Sequence, residues 1–173
     1  MKSCNVWGIS LTLLLTLFAA APAAHAADYS LDDGVVHFAA PDTWPVLMEK
    51  QDGDPQFLAF QVRDPASAGD TLARITVSTQ HAADAAAFQQ FVNDGIAKAH
   101  KLPGYLGSGQ SGADSAMRYT AMENKQKTAY LERYYYRNRV GIQVRCVRPT
   151  AGSSQWSATF DAGCNAIATA VSH

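Results

Sequence analysis

Two rhythms of apolar and polar positions run through this chain, one of period two and one of about 3.6, and their order sets the expected elements. "DDGVVHFAAPDTWPVL" (residues 32–47) opens on a turn, alternates, and turns again at its prolines. "QFLAFQVRD" (56–64) and "ARITVSTQ" (73–80) then read as half-buried strands. Between the first two strands, "KQDGDPQ" (50–56) carries Asp-Gly and Asp-Pro as breakers, the composition of a hairpin turn.

From Ala83 to His100 the rhythm changes, because Phe88, Phe91, Val92, Ile96 and Ala99 recur at three- and four-residue spacing and line one helical face. Asp84 suits the N-cap or first turn, Lys98 and Lys101 suit the negative end of the helix dipole, and Pro103-Gly104 stops the helix. A small, flexible stretch, "GSGQSGADS" (107–115), follows. "AMRYTAME", "TAYLERYYY" and "VGIQVRCVR" then read as three successive antiparallel strands joined by "NKQK" and "RNR". Helical spacing returns in "SSQWSATFDAGCNAIATAVS" through Trp156, Phe160, Cys164, Ile167 and Val171, with Ser153 or Ser154 as the cap. The predicted fold class is α+β: an antiparallel sheet of about six strands with helices packed on it.

Residues 1–26 join a positive charge at Lys2 to the apolar run "LTLLLTLFAA" and a small-residue exit, Ala24-His25-Ala26, the layout of a secretory signal peptide. The run is shorter than the roughly 20 residues that span a bilayer, so cleavage after Ala26 is expected rather than a retained anchor. No Cys sits at the cleavage point, which disfavours a lipid-anchored form. Residues 27–173 are then expected to form a single exported domain, periplasmic or secreted, with no membrane span. Cys4 leaves with the signal, and the two cysteines that stay, Cys146 and Cys164, are expected to pair in an oxidising compartment. Closing so short a loop is worth about 3 kcal/mol.

"FAAPDTW" (Phe38 to Trp44) resembles the strand, proline turn and tryptophan that open members of the PsbP-like superfamily, a group including an extrinsic photosystem II protein and the Ran-binding Mog protein. The order of elements, with the late "YYYRNRVGIQVRC" hairpin and the closing helix, is similar over nearly the whole of residues 27–173. That resemblance implies a sandwich of sheet and helices. It also implies a non-enzymatic protein that binds a macromolecule, in its sharpest form an immunity or inhibitor protein for a secreted toxin. The alternative is a cell-envelope assembly or small-ligand-binding accessory protein. No catalytic residue is carried over.

Candidate chemistry is sparse. Gly107, Gly109 and Gly112 match GxGxxG, but a strand-like stretch follows where a phosphate-binding loop needs a helix. Ala113 replaces the last glycine of GxSxG, so no nucleophile elbow is supported. His37, His81, His100 and His173 stand singly without the spacing of metal ligands. Asp32-Asp33 and Asp52/Asp54 lie in turns rich in Gly or Pro and read as solvated acids. Neither a metal nor a cofactor is implied, and no nucleophile, base and orienter emerge together.

Charge adds a sharper feature. Residues 27–117 hold five Lys/Arg and twelve Asp/Glu, whereas residues 118–148 hold eight cations (Arg118, Lys125, Lys127, Arg133, Arg137, Arg139, Arg145, Arg148) and two acids, a dipole hidden by the formal net charge of -1. Such asymmetry steers encounter with an acidic protein surface, an anionic glycan or lipid headgroups. An acidic protein is the expected partner, and nucleic acid is not expected for an exported chain. The candidate binding residues are Arg133, Tyr134, Tyr136, Arg137, Arg139 and Arg145, with Arg137 and Arg139 expected to be exposed at the hairpin turn. A two-residue turn at Asn138-Arg139 sets Tyr135 opposite Ile142 and makes Glu132–Arg145 a cross-strand ion pair worth up to about 1 kcal/mol. A three-residue turn moves Tyr134 and Tyr136 into the core instead, because a slip of one residue flips every side chain. The pattern of residues leaves both registers open.

Overall fold

The computed structural model describes residues 25–66, 73–108 and 116–173. The body of the expected signal peptide and most of the glycine-rich stretch, Gly109 and Gly112 included, lie outside the described residues. Nine strands and two helices follow in the order β1 (Ala26–Leu31), β2 (Val36–Pro41), β3 (Val46–Lys50), β4 (Gln56–Gln61), β5 (Arg74–His81), α1 (Ala85–His100), β6 (Leu106–Gly107), β7 (Met117–Glu123), β8 (Gln126–Arg137), β9 (Val140–Pro149) and α2 (Ser154–Ser172). β1 and β2 form a separate two-stranded ribbon, and the other seven make one antiparallel sheet in the order β3-β4-β5-β9-β8-β7-β6. The α+β architecture expected from the sequence is present. Its nine strands outnumber that expectation because β1 precedes the stretch read as the first strand, β2 and β3 divide that stretch at its prolines, and β6 spans two residues.

Strand alternation gives the sheet two unlike faces. One carries Phe60, Ile75, Val77, Ile142, Val144 and Cys146, and against it pack Leu31, Val36 and Phe38 of the ribbon and Trp156, Phe160, Ile167 and Val171 of α2 in one continuous core. Ser153 caps α2 by accepting from the Trp156 N–H, and the buried stripe of α2 is the apolar set that the helical spacing predicts, extended by Ala168. A Cys146–Cys164 disulfide ties β9 to α2 with a Cα–Cα separation of 6.1 Å.

The opposite face carries α1. Asp84 is its N-cap and accepts from the Ala87 N–H. The helix buries Ala99 fully and leaves Phe88, Phe91, Val92 and Ile96 half-buried, so it sits on the sheet more lightly than α2 does. Two glycines permit even that approach. A Cβ on Gly95 would stand 2.0 Å from the Tyr134 hydroxyl oxygen, and one on Gly141 would stand 2.9 Å from the Phe91 ring. Tyr134 therefore tucks beneath the helix while Phe91 lies over a bare strand position.

The hairpin register follows from its turn. Asn138 and Arg139 have φ of 50° and 64°, the paired positive values that a two-residue I′-type hairpin turn demands. Tyr135 accordingly faces Ile142, Arg133 faces Val144, Tyr134 faces Gln143 and Glu132 faces Arg145. Of the two registers open in the sequence, the two-residue turn is the one adopted. Tyr135 and Leu131 point to the core face, and Tyr134 and Tyr136 to the α1 face.

Candidate binding site

This alternation divides the six candidate residues between two faces, so they do not make one surface. Arg133 belongs to the α2 side. There β7 contributes Arg118 opposite Leu131, and β9 contributes Arg148 opposite Ala129. Arg118, Arg133 and Arg148 thus surround Ala129 and Leu131 in a groove of about 460 Å³, walled by Phe160, Asp161 and Asn165 of α2. Asp161 is the carboxylate among the described residues of that lining. It meets the Arg148 guanidinium edge-on, Nε and Nη2 each donating at 3.0 Å to a different oxygen, with side-chain exposures of 21 % for Arg148 and 48 % for Asp161. Arg118 and Arg148 were counted in the basic stretch but not placed. The signal that groups them with Arg133 is their parity once the two-residue turns fix strand pairing.

Tyr134 and Arg145 lie on the α1 side in a buried polar cluster. Its centre is Glu132, 2 % exposed, the residue expected to form a cross-strand ion pair with Arg145. Its Oε1 accepts from the Tyr119 hydroxyl at 2.6 Å, and Arg145 Nε stands 3.0 Å away as a close ion pair. Its Oε2 accepts from the Tyr134 hydroxyl at 2.7 Å and the Gln143 amide at 2.8 Å. The expected value of up to about 1 kcal/mol belongs to exposed pairs and does not apply to a carboxylate removed from water. The correction has a simple cause: Tyr119, Tyr134 and α1 cover the strand position that alternation alone marks as outward.

The cluster perturbs its members. Burial, then the nearby Glu132 charge and its hydrogen bonds, pushes the phenols of Tyr119 and Tyr134 well above the ordinary tyrosine range. Burial and the hydrogen bond to Glu123 push Tyr130 up to about 12. For Arg145 burial works against the charge, but Glu132 outweighs it and holds the guanidinium above its usual value. Tyr119 and Tyr130 stack with centroids 4.6 Å apart, and the Arg145 guanidinium lies 5.2 Å from the Tyr130 centroid. A cavity of about 270 Å³ remains between this floor and α1, with Phe91, Lys98 and Leu102 on the helix side. Glu132 thus accepts three hydrogen bonds and is paired with the Arg145 guanidinium. Chemically the cluster organises the face.

At the hairpin tip, Tyr136 is 39 % exposed, stacks on Phe88 at 5.2 Å and donates to the Ala82 carbonyl. Arg139 is exposed as expected. Arg137 departs from expectation: it is half-buried, and its Nη2 donates to the Val35 carbonyl in the β1–β2 turn. Odd-numbered positions of β8 point to the α2 side, where the ribbon backs against the hairpin. His37, His81, His100 and His173 are all exposed, and no group of three or more His, Cys, Asp or Glu among the described residues could hold a metal ion.

A seven-stranded antiparallel sheet with a core helix on one face and a lightly seated helix on the other defines an α+β sheet-and-helix protein. No known protein-family profile and no curated protein matches the chain. Among solved structures, the crystal structure of PA94, a protein of unknown function from Pseudomonas aeruginosa, aligns with a TM-score of 0.47 at 16 % identity, covering 80 % of this chain and 92 % of that one.

Proposed function

We propose that this is an exported, non-enzymatic binding protein of PsbP-like kind, which engages an acidic surface of another protein through the groove between β7–β9 and α2. The observation that carries the reading is the convergence of Arg118, Arg133 and Arg148, from three adjacent strands, around an apolar floor. Arginine over apolar contact is the composition enriched in protein interfaces, and a basic groove raises the rate of encounter with an acidic partner. On the α1 face Glu132 is engaged by three hydrogen bonds and by Arg145, and the Tyr119 and Tyr134 phenols are held protonated, which favours a structural role for that cluster.

Export rests on the N-terminal pattern, and the Cys146–Cys164 disulfide is compatible with an oxidising compartment. No helix of the described residues is long and apolar enough to cross a membrane. The PsbP-like resemblance narrows the partner to a secreted toxin, with this protein as its immunity or inhibitor protein. The 270 Å³ cavity under α1 favours a second reading, an envelope accessory protein that holds a small ligand.

Affinity capture from periplasmic extract with wild type and with Arg133→Glu/Arg148→Glu tests the first reading. An acidic protein retained by wild type and lost by the charge-reversed form is expected; Arg148→Gln alone serves if the double variant does not fold. Equal retention by both removes the groove from the interface. Intact mass of the native protein tests export: a product beginning at Ala27 is expected, and one beginning at Met1 counts against it.

A further inference from the structure

The Arg148–Asp161 contact pairs a groove guanidinium with a carboxylate of the protein's own closing helix. Cys146 and Arg148 lie two apart on β9 and share its core-side face, whereas Asp161 and Cys164 lie three apart on α2 and share a helix face. The disulfide therefore fixes the second pair of residues beside the first, and Asp161 is held over the Arg148 fork. The match is bidentate, the arrangement in which a guanidinium recognises a carboxylate specifically. Yet Asp161 is 48 % exposed, so water readily takes it over when it leaves the fork. Arg148 loses little if a second carboxylate then takes the same place.

We propose, building on the groove reading above, that Asp161 is a resident surrogate ligand, and that the groove takes an aspartate or glutamate side chain of a protein partner which exchanges with Asp161 on Arg148. Asp161 keeps the fork oriented in the unbound state and rejects weak anions, because an incoming group has to compete with a tethered carboxylate. The exchange trades one carboxylate for another, so it tunes affinity without changing the charge state of any group.

A labelled oligoglutamate peptide followed by fluorescence anisotropy, at about 0.1 M salt where the screening length is about 10 Å, tests this. Asp161→Asn is expected to tighten binding by roughly twofold to fivefold, the range that an exposed pair supports. Asp94→Asn, the same charge change on α1 across the sheet, is expected to do much less. Arg148→Lys keeps the charge and removes the fork, so in that background the gain from Asp161→Asn is expected to vanish. Three results overturn the proposal while leaving the groove intact: equal gains from Asp161→Asn and Asp94→Asn, a gain that survives Arg148→Lys, or equal binding of a sulfated oligosaccharide of matched charge. Failure of wild type and every variant to bind oligoglutamate removes the groove reading and this inference together.

Discussion

Replacing Glu132 tests the polar cluster directly. Glu132→Ala leaves the Tyr119 and Tyr134 hydroxyls, the Gln143 amide and the Arg145 guanidinium without their acceptor. Breaking a buried pair from one side costs about 3–5 kcal/mol, and each orphaned neutral donor about 1–3 kcal/mol when water cannot reach it. The adjoining 270 Å³ cavity has room to admit water to these donors, and Arg145 is already 33 % exposed, so the lower end applies. A loss of about 3 kcal/mol is expected, or a fall in Tm of roughly 10 °C for a domain of this size. Glu132→Gln keeps the shape and one acceptor oxygen, and rotating hydroxyls and a turned Gln143 can meet its amide, so about half that loss is expected. Urea unfolding followed by circular dichroism gives both values. The phenols supply a separate readout, since without the carboxylate charge Tyr119 and Tyr134 should ionise at lower pH than in wild type while burial still holds them up. A cost under about 1 kcal/mol for Glu132→Ala, the level of an exposed pair, would refute the reasoning.

Alkaline pH should weaken the fold from one side: the phenols of Tyr119, Tyr130 and Tyr134 titrate higher folded than the unfolded value of about 10, so their contribution is complete below about pH 10 and is lost as the pH climbs through the folded values. Urea midpoints that are flat from pH 7 to 9 and fall steadily above pH 10 are expected; a midpoint unchanged to pH 11.5 contradicts the burial of these groups. Denatured, unreduced protein should show neither Cys146 nor Cys164 reactive to a thiol reagent, and Cys146→Ala/Cys164→Ala should cost about 3 kcal/mol. Arg139→Gly places Asn-Gly in a turn whose second residue has φ of 64°, so a gain of about 0.5–1 kcal/mol is expected, with oligoglutamate binding unchanged because Arg139 lies outside the groove. Weaker peptide binding by that variant would return the hairpin tip to the interface.

The parts of the fold that were legible share a cause: each rests on a local signal repeated over several residues. Asp84 and Ser153 cap their helices where capping chemistry and periodicity change together, and the buried residues of α2 are those its spacing names, with Ala168 added. β1 was illegible because it joins the residues read as the exit of a signal peptide, and β6 because it spans two residues, which pair with Thr120 and Tyr119 of β7. The site was legible at the level of composition and no further. Eight cations in a stretch of 31 residues mark that stretch as basic, but alternation sends neighbours to opposite faces, so adjacency in sequence is a poor guide to adjacency in space. Arg137 is the clearest instance: it sits beside the turn yet is held by the Val35 carbonyl, a contact between residues 102 apart that no local pattern encodes.

The same turn that defeats a reading by adjacency is what makes the two faces possible. With two residues at the tip, Glu132 and Tyr134 fall on the α1 side beside Gln143 and Arg145, and Arg133 falls on the α2 side beside the groove. A third turn residue would exchange these sets, placing a guanidinium under α1 and carrying the Glu132 carboxylate, with Tyr134, towards the apolar core and away from Gln143 and Arg145 of β9. Register is therefore enforced by the cost of misplacing a single carboxylate as well as by apolar burial. The arginines of the groove depend on the same register that the polar cluster enforces from the opposite face, so substitutions at Glu132 should loosen the groove through the strand pairing of β8 with β9.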